Sequence, residues 1–150
     1  MDYTIRPVRC EDYQALQDIE LAAFGAWGYC NYFLKMIPHL FPASCLLAEV
    51  NGQVAGYSLG AVDGHDLARA WILTAAVKPQ FQNRGLGREL TLRLMQAMEE
   101  RGARSFILTV EPKNPARQLY FRLGFRDVKF ERDCYGQGQD RYYMERKVEA

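Results

Sequence analysis

Two nearly unbroken apolar runs, residues 70–77 (AWILTAAV) and 106–110 (FILTV), flank one segment in which Leu86, Leu90, Leu94 and Met98 recur every four residues. Runs of that kind need cover on both faces, as central strands have. The segment between them sets Arg88, Glu89, Arg93, Glu99 and Glu100 among its leucines, reads as an amphipathic helix, and ends at Gly102. Strand, helix and strand in that order make a βαβ unit with parallel strands and a right-handed crossover. A chain of 150 residues has room for that unit and a flank on each side, which fits a single domain over 1–150.

The flanks read as antiparallel. Residues 45–50 and 54–61 are β-rich and joined by Asn51-Gly52, which supplies the positive φ angles of a tight hairpin turn. Residues 3–8 read as a strand, and after Glu11-Asp12 the spacing of Leu16, Ile19 and Ala23 predicts a helix. Gly25, Gly28, Pro38 and Pro42 bracket the aromatic cluster Trp27, Tyr29, Tyr32 and Phe33, read as a short helix in a loop-rich cover. Downstream, Asn114 caps a helix with Pro115 in its first position, Leu119, Tyr120 and Leu123 on one face, and Gly124 at its close. Residues 126–133 and 141–148 form a last hairpin around Gly136-Gln137-Gly138-Gln139. The expected fold is mixed α/β: a twisted mixed sheet of about seven strands with helices on both faces and a central βαβ crossover.

Several function classes drop out early. Lys plus Arg number 19 against 18 Asp plus Glu, a net charge of +1, so there is no bulk field for gripping phosphate backbones and no nucleic-acid partner is expected. Cys10, Cys30, Cys45 and Cys134 lie far apart with no C-x-x-C pair and no His at ligand spacing, so no metal is expected. No apolar run reaches the roughly 18 residues of a membrane span, and a cytoplasmic protein without a membrane partner is expected.

The chemistry lies in Val77-Lys-Pro-Gln-Phe-Gln-Asn-Arg-Gly85-Leu-Gly87-Arg88, a strand end, a turn and a glycine-containing entry into a helix. Unpaired N–H groups point outward at a helix start, the helix dipole is positive there, and glycines let an anion come close, so a pyrophosphate is the natural guest. The same two glycines also serve a plain tight turn. A dinucleotide fingerprint fails because Leu90 stands where its third glycine belongs, and no Gly-Lys-Ser/Thr follows to make a P-loop.

Gln82-x-x-Gly85-x-Gly87 after a buried strand resembles the acyl-CoA loop of the GNAT acetyltransferase superfamily. That resemblance implies that Gln82, Asn83, Arg84, Gly85, Leu86, Gly87 and Arg88 cradle the CoA pyrophosphate while Ala75, Ala76 and Val77 meet the pantetheine arm. Asn114-Pro-Ala-Arg-Gln-Leu-Tyr120-Phe-Arg-Leu-Gly124-Phe125 is similar to a second family element, in which Asn114 contacts CoA and the Tyr120 phenol protonates the departing thiolate. Residues 135–146, from Tyr135 to Arg146, align without gaps to the terminal hairpin of ribosomal-protein alanine N-acetyltransferases and of protein N-terminal acetyltransferases. There the hairpin helps wall a peptide groove, which assigns Tyr135, Asp140 and Tyr142 to the acceptor.

Two departures touch the base. Thr109 stands where ribosomal-protein acetyltransferases carry a Glu, and the interval from Asn114 to Tyr120 is one residue shorter than theirs. Glu111, two residues on and on the same strand face as Thr109, a water held by Thr109, and Glu49 remain open as the base. Neither His39 nor His65 has a sequence cue pairing it with a Ser or Cys nucleophile, and an amine attacks a thioester without one.

The resemblance thus implies acetyl-CoA as co-substrate, entering where the parallel strands diverge, with an N–H near Val77 polarising the thioester carbonyl. It implies direct transfer to a primary amine, by preference a protein or peptide N-terminus. A small-molecule amine (polyamine, amino acid or antibiotic) and a non-catalytic acyl-CoA sensor are the alternatives, and the chain is a monomer or a homodimer.

Overall fold

The computed structural model describes residues 2–149. Asn51 and Gly52 hold φ angles of 52° and 79°, the left-handed pair that closes a two-residue turn between right-twisted strands. They join β2 (Cys45–Val50) to β3 (Gln53–Val62). Before them come β1 (Tyr3–Pro7), α1 (Tyr13–Phe24) and α2 (Asn31–Leu40). After them come β4 (Arg69–Val77), α3 (Leu86–Glu100), β5 (Ser105–Val110), α4 (Ala116–Arg122), β6 (Arg126–Glu131) and β7 (Arg141–Lys147). The strands form one seven-stranded sheet in the order β1-β2-β3-β4-β5-β7-β6. The pairing is antiparallel from β1 to β3, parallel for β4 with β5, and antiparallel for β5 with β7 and β7 with β6. The expected fold class is the one observed.

Contacts divide the chain into two compact units, Met1–Ala61 with Thr74–Met98, and Val62–Leu73 with Glu99–Ala150. In the first, the alternation of β2 sorts two cores. Cys45 and Leu47 join Leu16 and Ile19 of α1 and Leu34 and Ile37 of α2, whereas Ala48 and Val50 join Leu86 and Leu90 of α3. Helices therefore cover both faces of this part of the sheet. Residues 31–40 differ from expectation: α2 runs ten residues, straight through Pro38. A proline so late in a helix forfeits one hydrogen bond. Against that loss, Leu34 and Ile37 are 1% and 0% exposed, and Phe33 packs between Tyr29 and Phe41 at ring distances of 4.9 and 6.1 Å.

A register break leaves Ala55 as an extra residue in β3, since Ala48 faces Gly56 while Glu49 faces Val54. The Ala55 carbonyl accepts the N–H of Lys78 at 2.8 Å. A Cβ on Gly56 would stand 2.5 Å from the Ala76 carbonyl, so only glycine lets β3 lie this close to the end of β4. Bulge and glycine together fix where the loop after Val77 begins.

In the second unit, Arg69–Trp71 pair with Ser105–Ile107, and β7 lies between β5 and β6. Phe106, Leu108, Val110, Phe125 and Met144 are buried there. Asp63 organises the turn before β4: its carboxylate accepts the Trp71 indole N–H at 2.6 Å and the N–H groups of His65 and Asp66. Those bonds hold its pKa down at about 2. Among the described residues no helix is long and apolar enough to cross a membrane.

Candidate functional site

The loop of the first unit is built almost wholly from backbone. Beyond β4, Pro79–Phe81 make one tight helical turn, and the Gln82 side-chain amide folds back to donate to the Val77 carbonyl at 2.9 Å. The Gln82 N–H bonds the Pro79 carbonyl, so Gln82 acts as a brace and the outward donors come after it. Asn83 and Gly85 sit at φ 63° and 84°, left-handed positions that turn successive N–H groups toward one concavity. The first helical bond of α3 runs from Glu89 N–H to the Gly85 carbonyl at 3.0 Å. Among the described residues the N–H groups of Leu86, Gly87 and Arg88 have no backbone carbonyl partner. They are the orphan donors of a helix start, at the positive end of its dipole.

Buried side chains hold that turn still. Leu86 is 1% exposed, the Thr91 hydroxyl donates to the Gly87 carbonyl at 2.8 Å, and the Ser58 hydroxyl donates to the Leu90 carbonyl at 3.1 Å. A Cβ built on Gly85 meets nothing within 4 Å, so open space lies over the loop and glycine is required there by its φ alone. Arg88, exposed and 3.6 Å from Glu89, adds positive charge at the rim. Converging donors, positive potential and open approach fit a pyrophosphate. Of the strand residues before the loop, Ala76 and Val77 are buried and Ala75 is half-buried.

The second unit supplies side chains. The structure starts α4 one residue later than expected, with Pro115 as its N-cap, and the Asn114 side chain just ahead of it accepts the Ala116 N–H at 2.9 Å; its exposed amide nitrogen has no partner among the described residues. Tyr120 is 9% exposed, its ring set edge-on to Phe125 at 5.8 Å. Its hydroxyl makes no hydrogen bond among the described residues, yet it is not among the fully buried unpartnered atoms. Burial raises its pKa, which keeps the phenol protonated, as a proton donor must be.

Thr109 and Tyr135 meet, hydroxyl to hydroxyl, at 2.7 Å. Glu111 faces Arg141 at 3.7 Å, and the Arg141 guanidinium lies 5.1 Å from the Tyr135 ring centroid while donating to Gln139 at 3.1 Å. Three of the expected residues, Thr109, Glu111 and Tyr135, are thereby gathered around Arg141, which the sequence reading passed over. No local spacing could have found it, because Arg141 comes beside Glu111 only once β7 pairs with β5.

Asp140 and Tyr142 serve the hairpin itself. The Asp140 carboxylate accepts the Asp133 N–H at 2.9 Å. The Tyr142 ring packs on Phe130 at 5.0 Å and beneath the Arg117 guanidinium at 4.0 Å, and Arg117 in turn grips Asp127. Glu49, the third base considered, is paired with Arg6 at 2.5 Å in the first unit. Arg6 also holds both oxygens of Asp12, whose pKa it lowers.

The sequence model of the Acetyltransferase (GNAT) family matches residues 13–125. An N-alpha-acetyltransferase of Sulfurisphaera tokodaii is 32% identical over 156 aligned positions, covering 95% of this chain and 92% of that protein. The crystal structure of Ard1 from Thermoplasma volcanium superposes with a TM-score of 0.90 at 23% identity, each chain covered in full (100%). A Salmonella typhimurium protein, yncA, solved with its cofactor acetyl-CoA, superposes with a TM-score of 0.81 at 22% identity over 98% of this chain and 94% of its own.

Proposed function

Because this chain belongs to the GNAT acetyltransferase family and transfers an acetyl group from acetyl-CoA to an amine, we propose that its acceptor is the α-amine of a protein or peptide N-terminus. The observation that carries this reading is the match to an N-alpha-acetyltransferase over nearly the full length of both chains. The Thr109–Tyr135 bond supports it, since it ties the tip of the terminal hairpin to β5.

Acetyl-CoA supplies the acetyl group as a thioester. The N–H groups of residues 83–88 hold its pyrophosphate, Ala75, Ala76 and Val77 receive the pantetheine arm, and the free amide nitrogen of Asn114 donates to the cofactor. A backbone N–H near Val77 polarises the carbonyl. The Glu111 carboxylate, or a water on the Thr109 hydroxyl, takes a proton from the incoming ammonium, and the neutral amine forms the new C–N bond as the C–S bond breaks. The Tyr120 hydroxyl delivers a proton to the leaving sulfur, and the second proton, shed by the nitrogen as the amide forms, restores the phenol. Tyr135 lines the acceptor's path, and Asp140 and Tyr142 act on the acceptor through the hairpin they hold in shape.

Parallel reactions on peptides with varied N-terminal residues, on a blocked peptide bearing a Lys side chain, and on polyamines and amino acids test this by mass spectrometry. Acetyl on the peptide α-amine, at a kcat/KM above every small amine, is expected. Acetylation confined to small amines would overturn the choice of acceptor.

A further inference from the structure

The pairing that sets Thr109 opposite Tyr143 and Val110 opposite Tyr142, carried one residue further, sets Glu111 opposite Arg141, and the two side chains stand 3.7 Å apart. Opposite charges in facing positions of an antiparallel pair attract. Thr109, Glu111, Arg141 and Tyr143 therefore share one face of the sheet. The hairpin tip brings Tyr135 over that face, its hydroxyl on that of Thr109 at 2.7 Å and its ring centroid 5.1 Å from the Arg141 guanidinium carbon. Tyr135 thus reaches from β7 across to β5.

Exposure separates the members. The Glu111 side chain is 60% exposed and the Arg141 side chain 15%, and Tyr135 is itself 60% exposed. Arg141 is anchored to the hairpin: one terminal guanidinium nitrogen donates to the Asp140 carbonyl at 2.8 Å and the other to the Gln139 side-chain oxygen at 3.1 Å. The planar fork that makes these bonds also offers a flat face to the Tyr135 ring, which an ammonium could not do while holding both acceptors. An exposed Tyr or Glu without an anchor samples several rotamers and loses that freedom when a ligand must meet it in one. Here both lie against one largely covered cation before any ligand arrives.

We propose that Arg141 is a positioning residue for the acceptor: it touches neither the amine nor acetyl-CoA, and it holds the Tyr135 ring and the Glu111 carboxylate in the arrangement the incoming amine meets. The proposal rests on the reading that the acceptor enters along the terminal hairpin. It adds a requirement that the separate roles of Tyr135 and Glu111 do not make, since the two act as one unit coupled through a third side chain.

The test is a double-variant cycle on the full chain, with steady-state kinetics on whichever amine of the parallel reactions has the highest kcat/KM and with calorimetric acetyl-CoA binding beside it. Arg141→Met, which keeps the apolar stem and removes the fork, should raise the acceptor KM about 10-fold with acetyl-CoA affinity unchanged. Arg141→Lys, which keeps only the charge, should fall between that variant and the wild type. Adding Tyr135→Phe to Arg141→Met should raise KM by less than about two-fold more, because a ring no longer held gives its hydroxyl little to do. An arginine that served only the stability of the hairpin would lower the melting temperature and leave the acceptor KM of the folded enzyme unchanged. That result, or KM increases in Arg141→Met and Tyr135→Phe that multiply in the double variant, would overturn the proposal. Should Arg141→Met not fold, the same cycle built on Arg141→Lys gives the same two readings. Because the acceptor used is the amine that reacts best, a small amine in that place overturns the N-terminal assignment and still lets the cycle decide the role of Arg141.

Discussion

The loop in the first unit and the side-chain cluster in the second are built by opposite means. Residues 83–88 present backbone N–H groups, so nearly any side chain would leave the donors in place provided Gly85 keeps its φ of 84°. Thr109, Glu111, Tyr120 and Tyr135 present side-chain atoms, where a substitution changes the groups on offer and leaves the backbone untouched. A backbone site depends on the geometry of its turn. A side-chain site depends on residue identity.

The largest expected effect breaks the two apart. Tyr120→Phe keeps the ring against Phe125 and should lower kcat by roughly 10²–10⁴-fold with acetyl-CoA affinity unchanged. Steady-state kinetics beside calorimetric CoA binding checks this; a near-normal kcat with chemistry rate-limiting would remove the hydroxyl from the reaction.

Next come the glycines, where the pattern should invert. Gly85→Val forces a β-branched residue into the left-handed region and puts a side chain over the donors, so acetyl-CoA should bind about 100-fold more weakly while the second unit is unaffected. Gly87 is helical, and its added Cβ would lie 4.0 Å from Val77 Cγ2. Gly87→Ala should therefore raise the stability of the CoA-free protein by up to about 1 kcal/mol and still weaken the cofactor. Thermal melts with and without CoA separate the two outcomes.

Tyr135→Phe removes one hydroxyl from the Thr109 pair, and a single hydrogen bond of about 1 kcal/mol predicts a several-fold rise in KM for a peptide acceptor. Acetyl-CoA binding should not change; a shift in it would show that the two regions are not independent.

The smallest effect is one of stability. Glu20 has a raised pKa in the fold, so as pH rises through the ordinary carboxylate range the unfolded chain ionises ahead of the folded one, and stability is lost. Glu20→Gln should match the wild type near pH 4 and exceed it progressively toward neutrality, with kcat unchanged. Asp12, with its pKa lowered by Arg6, works in the other direction in both proteins and cancels. Urea titrations across that range give the difference.

What the sequence disclosed divides along the same line. The loop was legible because its signals are local: a strand end, Gly85, Gly87 and the leucine period of α3 lie within one short stretch. The hairpin at Asn51-Gly52 was legible for the same reason. The path of α2 through Pro38 was not, since burial of Leu34 and Ile37 against distant strands decided it. Nor did the sequence say that β7 rather than β6 pairs with β5, because both strands of that hairpin alternate alike. Arg141 beside Glu111 and Glu20 beneath Tyr57 join residues 30 and 37 positions apart, and no spacing rule reaches that far.

Cys45 at the start of β2 turns the first unit into its own clock. Cys10 and Cys30 are exposed and Cys45 is fully buried, with its thiol pushed up to about 12 by desolvation. A thiol-specific reagent reacts with thiolates, so it consumes the exposed pair at once and must wait on Cys45. Only the opening of β2 away from α1 and α2 admits it. The slow phase of alkylation then counts spontaneous openings, read by peptide mass without any label engineered into the chain.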